Sequence, residues 1–203
     1  MRPNPLRNGT VVLLAILSVA LASPAYAQRR GKGPAVDGEM LAQSCMGCHG
    51  TFGASGTAPM PIIGGQNEAY LIEAMKTFKD GTRPSTVMGR LAKGYTESEV
   101  AALAKYFAAK PFVRAEQKTD PAKVAEGRAA YNRSCKRCHD QNGRESAEPQ
   151  YPILAGQWLE TMQIAIDDVR AGRRKVDDKF LAKLEELKPA EADAVLHFFA
   201  SQK

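Results

Sequence analysis

Two stretches decide how this chain folds, Cys45-Met46-Gly47-Cys48-His49 and Cys135-Lys136-Arg137-Cys138-His139, and both follow the pattern Cys-x-x-Cys-His. Two cysteines at this spacing can form thioether bonds to the two vinyl groups of one porphyrin, and the adjacent histidine reaches the iron from the same side. The two motifs use all four cysteines of the chain. The sequence therefore predicts two covalently bound haems c, with His49 and His139 as the proximal iron ligands.

Other chemistry of paired cysteines fits the sequence less well. Cys-x-x-Cys also occurs in redox dithiols and in zinc sites. A thioredoxin-like dithiol lies in a strand-helix context, which the pattern around these motifs does not predict. A zinc site would have to pair two motifs that lie in separate parts of the chain. The adjacent histidines and an export signal favour haem.

The N-terminus resembles a secretory signal peptide. Arg2 and Arg7 precede an apolar run that extends from Val11 to about Ala22, and Ala25-Tyr26-Ala27 supplies the small-x-small cleavage pattern. The run is too short and too poorly flanked for a good transmembrane helix, so we expect no stable membrane insertion. Cleavage after Ala27 would leave the remainder in the periplasm, on the side of the membrane where bacteria attach haem covalently.

The charge of the chain excludes one class of partner. The formal net charge is +6, and the basic residues are spread along the chain rather than clustered. We therefore expect no nucleic-acid partner. A modestly basic surface instead suits encounters with acidic redox partners.

Internal similarity divides the exported part into two copies of one unit. Pro61-Ile-Ile-Gly-Gly-Gln66 recurs as Pro152-Ile-Leu-Ala-Gly-Gln157, and Tyr106-Phe107 recurs as Phe198-Phe199, in the same order as the two cysteine motifs. Such repetition indicates tandem structural units. The predicted division is a signal peptide (1–27), a first domain (28–112), a linker (113–119) and a second domain (120–203).

Signals for helix ends recur along both copies. Asp120-Pro121 places an N-cap residue before a proline at the first helical position, and Thr96-Glu-Ser-Glu99 matches a capping box. Asn67 is predicted to cap another helix, and Lys188-Pro189 to begin the closing one. Sustained alternation of period two is missing from the sequence, so the predicted fold class is all-α.

The sixth iron ligand is predicted for the first haem. Met88 lies in the polar, glycine-flanked stretch Ser85–Arg90 between two predicted helices, where core packing is less expected. Thioether ligation raises the reduction potential of a haem and suits electron transfer. Met60 and Met75 are weaker candidates. Met75 falls on the apolar stripe of its helix, where a structural role is expected.

The second copy departs from this pattern. The position equivalent to Met88 falls on Lys179 or Phe180, and Met162 is the only methionine after Met88. We therefore expect one of three arrangements at the second haem: a five-coordinate iron, ligation by Lys179, or ligation by Met162 after rearrangement. We expect His197 to lie on the outer face of the closing helix.

These features together resemble the dihaem cytochromes c that consist of two fused class I cytochrome c domains, over residues 37–202. Cytochrome c4 and the cytochrome subunit of flavocytochrome c sulfide dehydrogenase share this plan, and Ser85–Tyr95 and Ile153–Trp158 look like the latter. The resemblance implies that each haem is wrapped by one domain. It also implies that the carbonyls of Pro61 and Pro152 accept hydrogen bonds from the two histidines of the motifs.

The same resemblance implies an exported electron-transfer subunit that is no enzyme by itself. An FAD-containing sulfide dehydrogenase subunit would be its donor, and a soluble protein such as a small cytochrome c its acceptor. The chain has neither a glycine-rich dinucleotide motif nor a spare cysteine, so the flavin chemistry belongs to the partner. Two alternatives stay open: a freestanding cytochrome c4-like carrier to a terminal oxidase, and a second haem that binds small ligands as a catalytic or sensing centre.

Overall fold

Helices and the loops between them make up residues 37–203, the part of the chain that the computed structural model describes, and no strand occurs there. The predicted all-α fold is confirmed. The predicted signal peptide lies outside the described residues. In chain order the helices are α1 (Gly38–His49), α2 (Glu68–Asp80), α3 (Met88–Leu91), α4 (Glu97–Ala108), α5 (Pro121–Ala130), α6 (Asp140–Gly143), α7 (Leu159–Arg170), α8 (Asp178–Glu185) and α9 (Pro189–Ala200).

Side-chain caps begin α4 and α5 where the sequence predicts them. Thr96 and Glu99 form the capping box of α4: the Thr96 side chain accepts a hydrogen bond from the Glu99 backbone N–H, and the Glu99 carboxylate accepts from the Thr96 N–H at 2.7 Å. Asp120 caps α5 by accepting from the Ala122 N–H at 2.9 Å. Both caps satisfy N–H groups that the first helical turn leaves unpaired.

Two helix crossings organise the described chain, because α1 packs across α4 and α5 packs across α9. Glycine occupies the closest point of each crossing. A Cβ atom added to Gly38 would lie 2.4 Å from the carbonyl oxygen of Ala102, and one added to Gly127 would lie 2.0 Å from that of Ala194. The helix backbones therefore approach each other more closely than any side chain would allow.

We expect Gly127→Val to destabilise the haem-loaded protein by about 3 kcal/mol, because the α5–α9 crossing would have to open to admit the side chain. Urea unfolding followed by circular dichroism measures this loss. Gly94→Ala is the matched control, since no described residue would meet its new Cβ within 4 Å. We expect the control to change stability by less than about 0.5 kcal/mol. Equal losses in both variants would contradict the role given to the crossing.

His197 corrects one expectation. The sequence predicts this residue on the outer face of the closing helix, but its side chain is only 11% exposed. Its Nδ1 accepts a hydrogen bond from the backbone N–H of Asp120 at 3.1 Å. The segment that leads into α5 covers this face of α9, so a helix that looks amphipathic in sequence is packed on both sides.

Within residues 37–203, every helix falls short of the length and apolar character needed to cross a membrane.

Candidate functional site

The first cysteine motif occupies the last turns of α1, which ends at His49. The imidazole of His49 is buried, and its Nδ1 lies 2.9 Å from the carbonyl oxygen of Pro61. Burial lowers the pKa of His49, although the hydrogen bond to Pro61 opposes the shift. The ring is therefore neutral near pH 7, and an Nδ1–H donated to Pro61 leaves the lone pair of Nε2 for a metal. The contact between His49 and Pro61 implied by the resemblance is confirmed.

The second cysteine motif is reached through a wider helical turn. A π-helical segment, Tyr131–Cys135, continues α5 into the motif. His139 is buried, and burial lowers its pKa to about 4, so that this imidazole is neutral as well. The carbonyl of Pro152 faces the ring and opposes that shift. However, within residues 37–203 no group meets Nδ1 of His139 in hydrogen-bonding geometry. The contact implied for Pro152 is thus looser than its counterpart at Pro61.

Tyr131 supports the second motif, and the sequence patterns did not single it out. Its hydroxyl donates to the carbonyl oxygen of His139 at 2.8 Å and accepts from the N–H of Asn142 at 2.9 Å. Its ring is 1% exposed and lies 5.0 Å from that of Phe198 and 5.6 Å from that of Phe199 between centroids. Tyr131 therefore anchors the backbone of the histidine to the aromatic core. A tyrosine four residues before a haem motif is the signal that could have found it.

A partly open cleft lies beside the second motif. Cys135, Cys138 and His139 line one side of it. Burial raises the pKa of Cys135 to about 11, so its sulfur lies in an apolar environment. Apolar side chains form most of the remaining wall, among them Leu154, Ile166, Leu184 and Leu196. Two thiols, a neutral imidazole and apolar walls in one cleft fit a covalently attached haem.

The candidates for a sixth ligand occupy different surroundings. Met88 is half-buried and is the first residue of the short helix α3. Lys179 and Phe180, both on α8, line the same cleft as His139. Met162 is 5% exposed and belongs to the apolar core of the C-terminal half rather than to the cleft lining described for residues 37–203. The structure thus brings Lys179, but not Met162, to the second motif.

Asn67 occupies the N-cap position of α2, as predicted, but its side chain makes no capping hydrogen bond. Its amide nitrogen instead donates to the hydroxyl of Ser146 and to the carbonyl of Tyr151, both at 2.7 Å. These partners belong to the other copy of the repeat. The role of its side chain was therefore misjudged, because its partners come from across the boundary between the two halves.

Basic side chains meet at the same boundary. Burial raises the pKa of the Tyr70 hydroxyl, but the charges of Arg83 and Arg174 outweigh that effect and hold its pKa below the ordinary value. Burial and the neighbouring charge of Arg83 lower the pKa of Arg174. Arg173 forms an ion pair with Asp168 at 2.7 Å. Arg174 therefore faces inward, and the charge of Arg173 is already paired.

Comparison with known proteins agrees with this geometry. Residues 124–203 match the cytochrome c family model. Over 70 residues the chain is 51% identical to the cytochrome subunit of sulfide dehydrogenase from Chlorobaculum tepidum. That match covers 34% of this chain and 63% of the relative. It is 31% identical over 188 residues to cytochrome c4 from Azotobacter vinelandii, covering 84% of this chain and 86% of the relative.

Among solved structures, that of reduced recombinant cytochrome c4 from Pseudomonas stutzeri superposes with a TM-score of 0.72 at 22% identity. The superposition covers 85% of this chain and 100% of that one. At this identity the likeness shows the fold, which is that of two class I cytochrome c units in one chain.

Proposed function

Because this chain belongs to the dihaem cytochrome c4 family, we propose that it is the electron-transfer subunit of a periplasmic sulfide dehydrogenase. It is an electron-transfer cytochrome that carries covalently bound haem c. In the proposal, an FAD-containing subunit oxidises sulfide, and this chain passes the electrons to a soluble acceptor such as a small cytochrome c. The observation that carries the proposal is the 51% identity to a sulfide dehydrogenase cytochrome subunit.

The residues of this chain have defined tasks in that function. Each bound haem supplies a one-electron couple. Cys45 and Cys48 would hold one of them and Cys135 and Cys138 the other, through thioether bonds to the porphyrin. His49 and His139, whose pKa values are lowered by burial, would bind the two irons. Arg83 and Arg174 lie together beside Tyr70 at the boundary between the halves, where they could pair with haem propionates.

Apolar surroundings and axial ligands set the reduction potentials of haems. We propose Met88 as the sixth ligand of the first haem. For the second haem we propose Lys179 over Met162, since Lys179 lines the cleft of His139 while Met162 is buried in the core.

We expect Lys179→Ala to make the reduced second haem bind carbon monoxide, because the substitution removes the side chain proposed to block the iron. Visible spectra recorded before and after addition of the gas measure this. The matched control, Met162→Leu, preserves apolar volume in the core and should leave the spectrum unchanged. A wild-type protein that already binds the gas at one haem would instead show an open site, as the ligand-sensing alternative requires.

The experiment that tests the function begins with the protein purified from its native host. We expect an FAD protein to purify with it, and we expect sulfide to bleach the flavin and reduce the haems. Because sulfide also reduces cytochromes slowly by direct chemistry, the chain separated from its flavoprotein is the control and should react far more slowly. A dihaem protein without flavin that reacts equally slowly in both preparations would contradict the proposal.

A freestanding carrier of the cytochrome c4 kind is the second candidate. The match to the Azotobacter vinelandii cytochrome c4 favours it, because that match covers 84% of this chain whereas the sulfide dehydrogenase match covers 34%. A carrier would give up its electrons to a terminal oxidase and would need no permanent partner. Oxidation of the reduced chain by membranes of the same host, in the absence of sulfide, would distinguish it.

A further inference from the structure

The two glutamines that end the repeated Pro-Ile segments each hydrogen-bond to the backbone of the other half. The carboxamide of Gln157 forms two hydrogen bonds with the backbone of Ile62: Nε2 donates to its carbonyl oxygen and Oε1 accepts from its N–H, both at 2.9 Å. The carboxamide of Gln66 does the same with Ile153, donating at 2.8 Å and accepting at 2.9 Å. Each half therefore places its glutamine on the backbone of the other.

Both side chains are enclosed by protein. Gln66 is 3% exposed and Gln157 is 5% exposed. A buried carboxamide whose oxygen and nitrogen both find partners fixes its neighbours firmly, because losing either bond leaves a polar group unpaired away from water. These buried hydrogen bonds therefore connect the two halves rigidly, unlike a loose surface contact.

The peptide group that Gln157 touches is the one that serves the first haem motif. The carbonyl of Pro61 and the N–H of Ile62 belong to the same planar peptide unit, in which resonance links oxygen and nitrogen. The oxygen lies 2.9 Å from Nδ1 of His49, and the N–H donates to Gln157 at 2.9 Å. A hydrogen bond at one end of a peptide group polarises it and strengthens the bond at the other end.

We propose that Gln157 is a positioning residue for the first haem, acting from the opposite half through the Pro61–Ile62 peptide unit on the basicity of His49. The inference rests on the proposed role of His49 as an iron ligand. A stronger acceptor for Nδ1–H makes the imidazole more basic. A more basic ligand favours ferric iron over ferrous iron, so Gln157 lowers the potential of this haem.

In the second half the corresponding contact between the proline carbonyl and the histidine is looser. Ile153 donates its N–H to Gln66, and its peptide unit includes the carbonyl of Pro152. Within the described residues, however, Nδ1 of His139 has no partner in hydrogen-bonding geometry. Gln66 therefore influences the second haem less than Gln157 influences the first.

The test uses the haem-loaded full chain with Gln157→Met, which keeps the length of the side chain and removes both hydrogen bonds. We expect the reduction equilibrium constant of the first haem to rise by up to about tenfold, or about 59 mV for one electron. The potential of each haem is followed by NMR during stepwise reduction. The Nδ1–H of His49 should also exchange with solvent faster. Gln66→Met should change the second haem by a smaller factor.

Thr161→Val is the matched control for a loosened boundary. Thr161 donates its hydroxyl to the carbonyl of Pro59 across the same boundary at 2.8 Å, outside the Pro61–Ile62 peptide unit. We expect no change at either haem. If Gln157→Met fails to fold, Gln157→Glu keeps an acceptor for Ile62 and should not raise the potential of the first haem.

An unchanged first haem in Gln157→Met, an equal shift at both haems, or the same rise in Thr161→Val would overturn the inference. A rise in Gln157→Glu would do so too. None of these measurements involves a flavoprotein or sulfide, so they give the same answer whether or not the proposed partner is correct.

Discussion

Replacing both Cys135 and Cys138 with alanine is expected to halve the haem content of the protein and to unfold its C-terminal half. Without thioether bonds the apolar cleft beside His139 would lose the haem that is proposed to fill it. Each large apolar side chain left facing water forfeits about 1.5–3 kcal/mol, and several of them together match the total stability of a typical domain, about 5–15 kcal/mol. Haem per chain from the pyridine haemochrome spectrum, together with helical circular dichroism, measures both effects.

Two further variants make that result specific. Cys138→Ser leaves one thioether through Cys135, and we expect it to retain two haems. The pair Cys45→Ala and Cys48→Ala removes the other attachment site, and we expect the second haem to remain. Two haems per chain in the protein that lacks both Cys135 and Cys138 would show that this motif is not an attachment site.

Substitution of Met88 is expected to have the largest effect on electron transfer. Met88→His should lower the potential of the first haem by roughly 0.2 V, within the range of about 0.8 V that axial ligands span, because imidazole stabilises ferric iron better than a thioether does. Spectroelectrochemical titration measures the shift. The weak near-infrared absorption that thioether ligation gives ferric haem should disappear at the same time.

The other methionines of the first copy supply the controls. Met75→Leu and Met60→Leu preserve apolar volume, and both residues are half-buried like Met88. We expect neither to alter the potential by more than a small fraction of the Met88→His effect. Loss of the near-infrared absorption in either control, with the absorption retained in Met88→His, would assign the ligand to that methionine instead.

Local spacing allowed much of the candidate site to be predicted. A cysteine pair and a histidine within five consecutive residues specify their chemistry before any folding. The capping box of Thr96 and Glu99 likewise lies within four residues, and its two hydrogen bonds form as predicted. Met88, Lys179 and Met162 could be compared only after the fold was known, because Lys179 lines the cleft of His139 and Met162 is buried in the core.

Errors arose where one residue meets another from a distant part of the chain. Asn67 looks like a helix cap, yet it bonds to Ser146 and Tyr151. His197 looks exposed, yet the backbone of Asp120 covers it. Both predictions used only neighbours along the sequence, and neither could include the segments that fold over these side chains.

The sequence by itself determined that this chain is helical, duplicated and able to attach two haems, because those properties follow from residue spacing and from repetition. Tertiary structure alone decided that Gln66 and Gln157 each bond to the backbone of the other half. It also decided that Nδ1 of His49 is hydrogen-bonded to Pro61, whereas the contact between Nδ1 of His139 and Pro152 is looser. The physical reason is that a hydrogen bond of about 2.9 Å depends on small displacements of whole backbone segments. Packing sets such displacements, and no spacing along the chain encodes them.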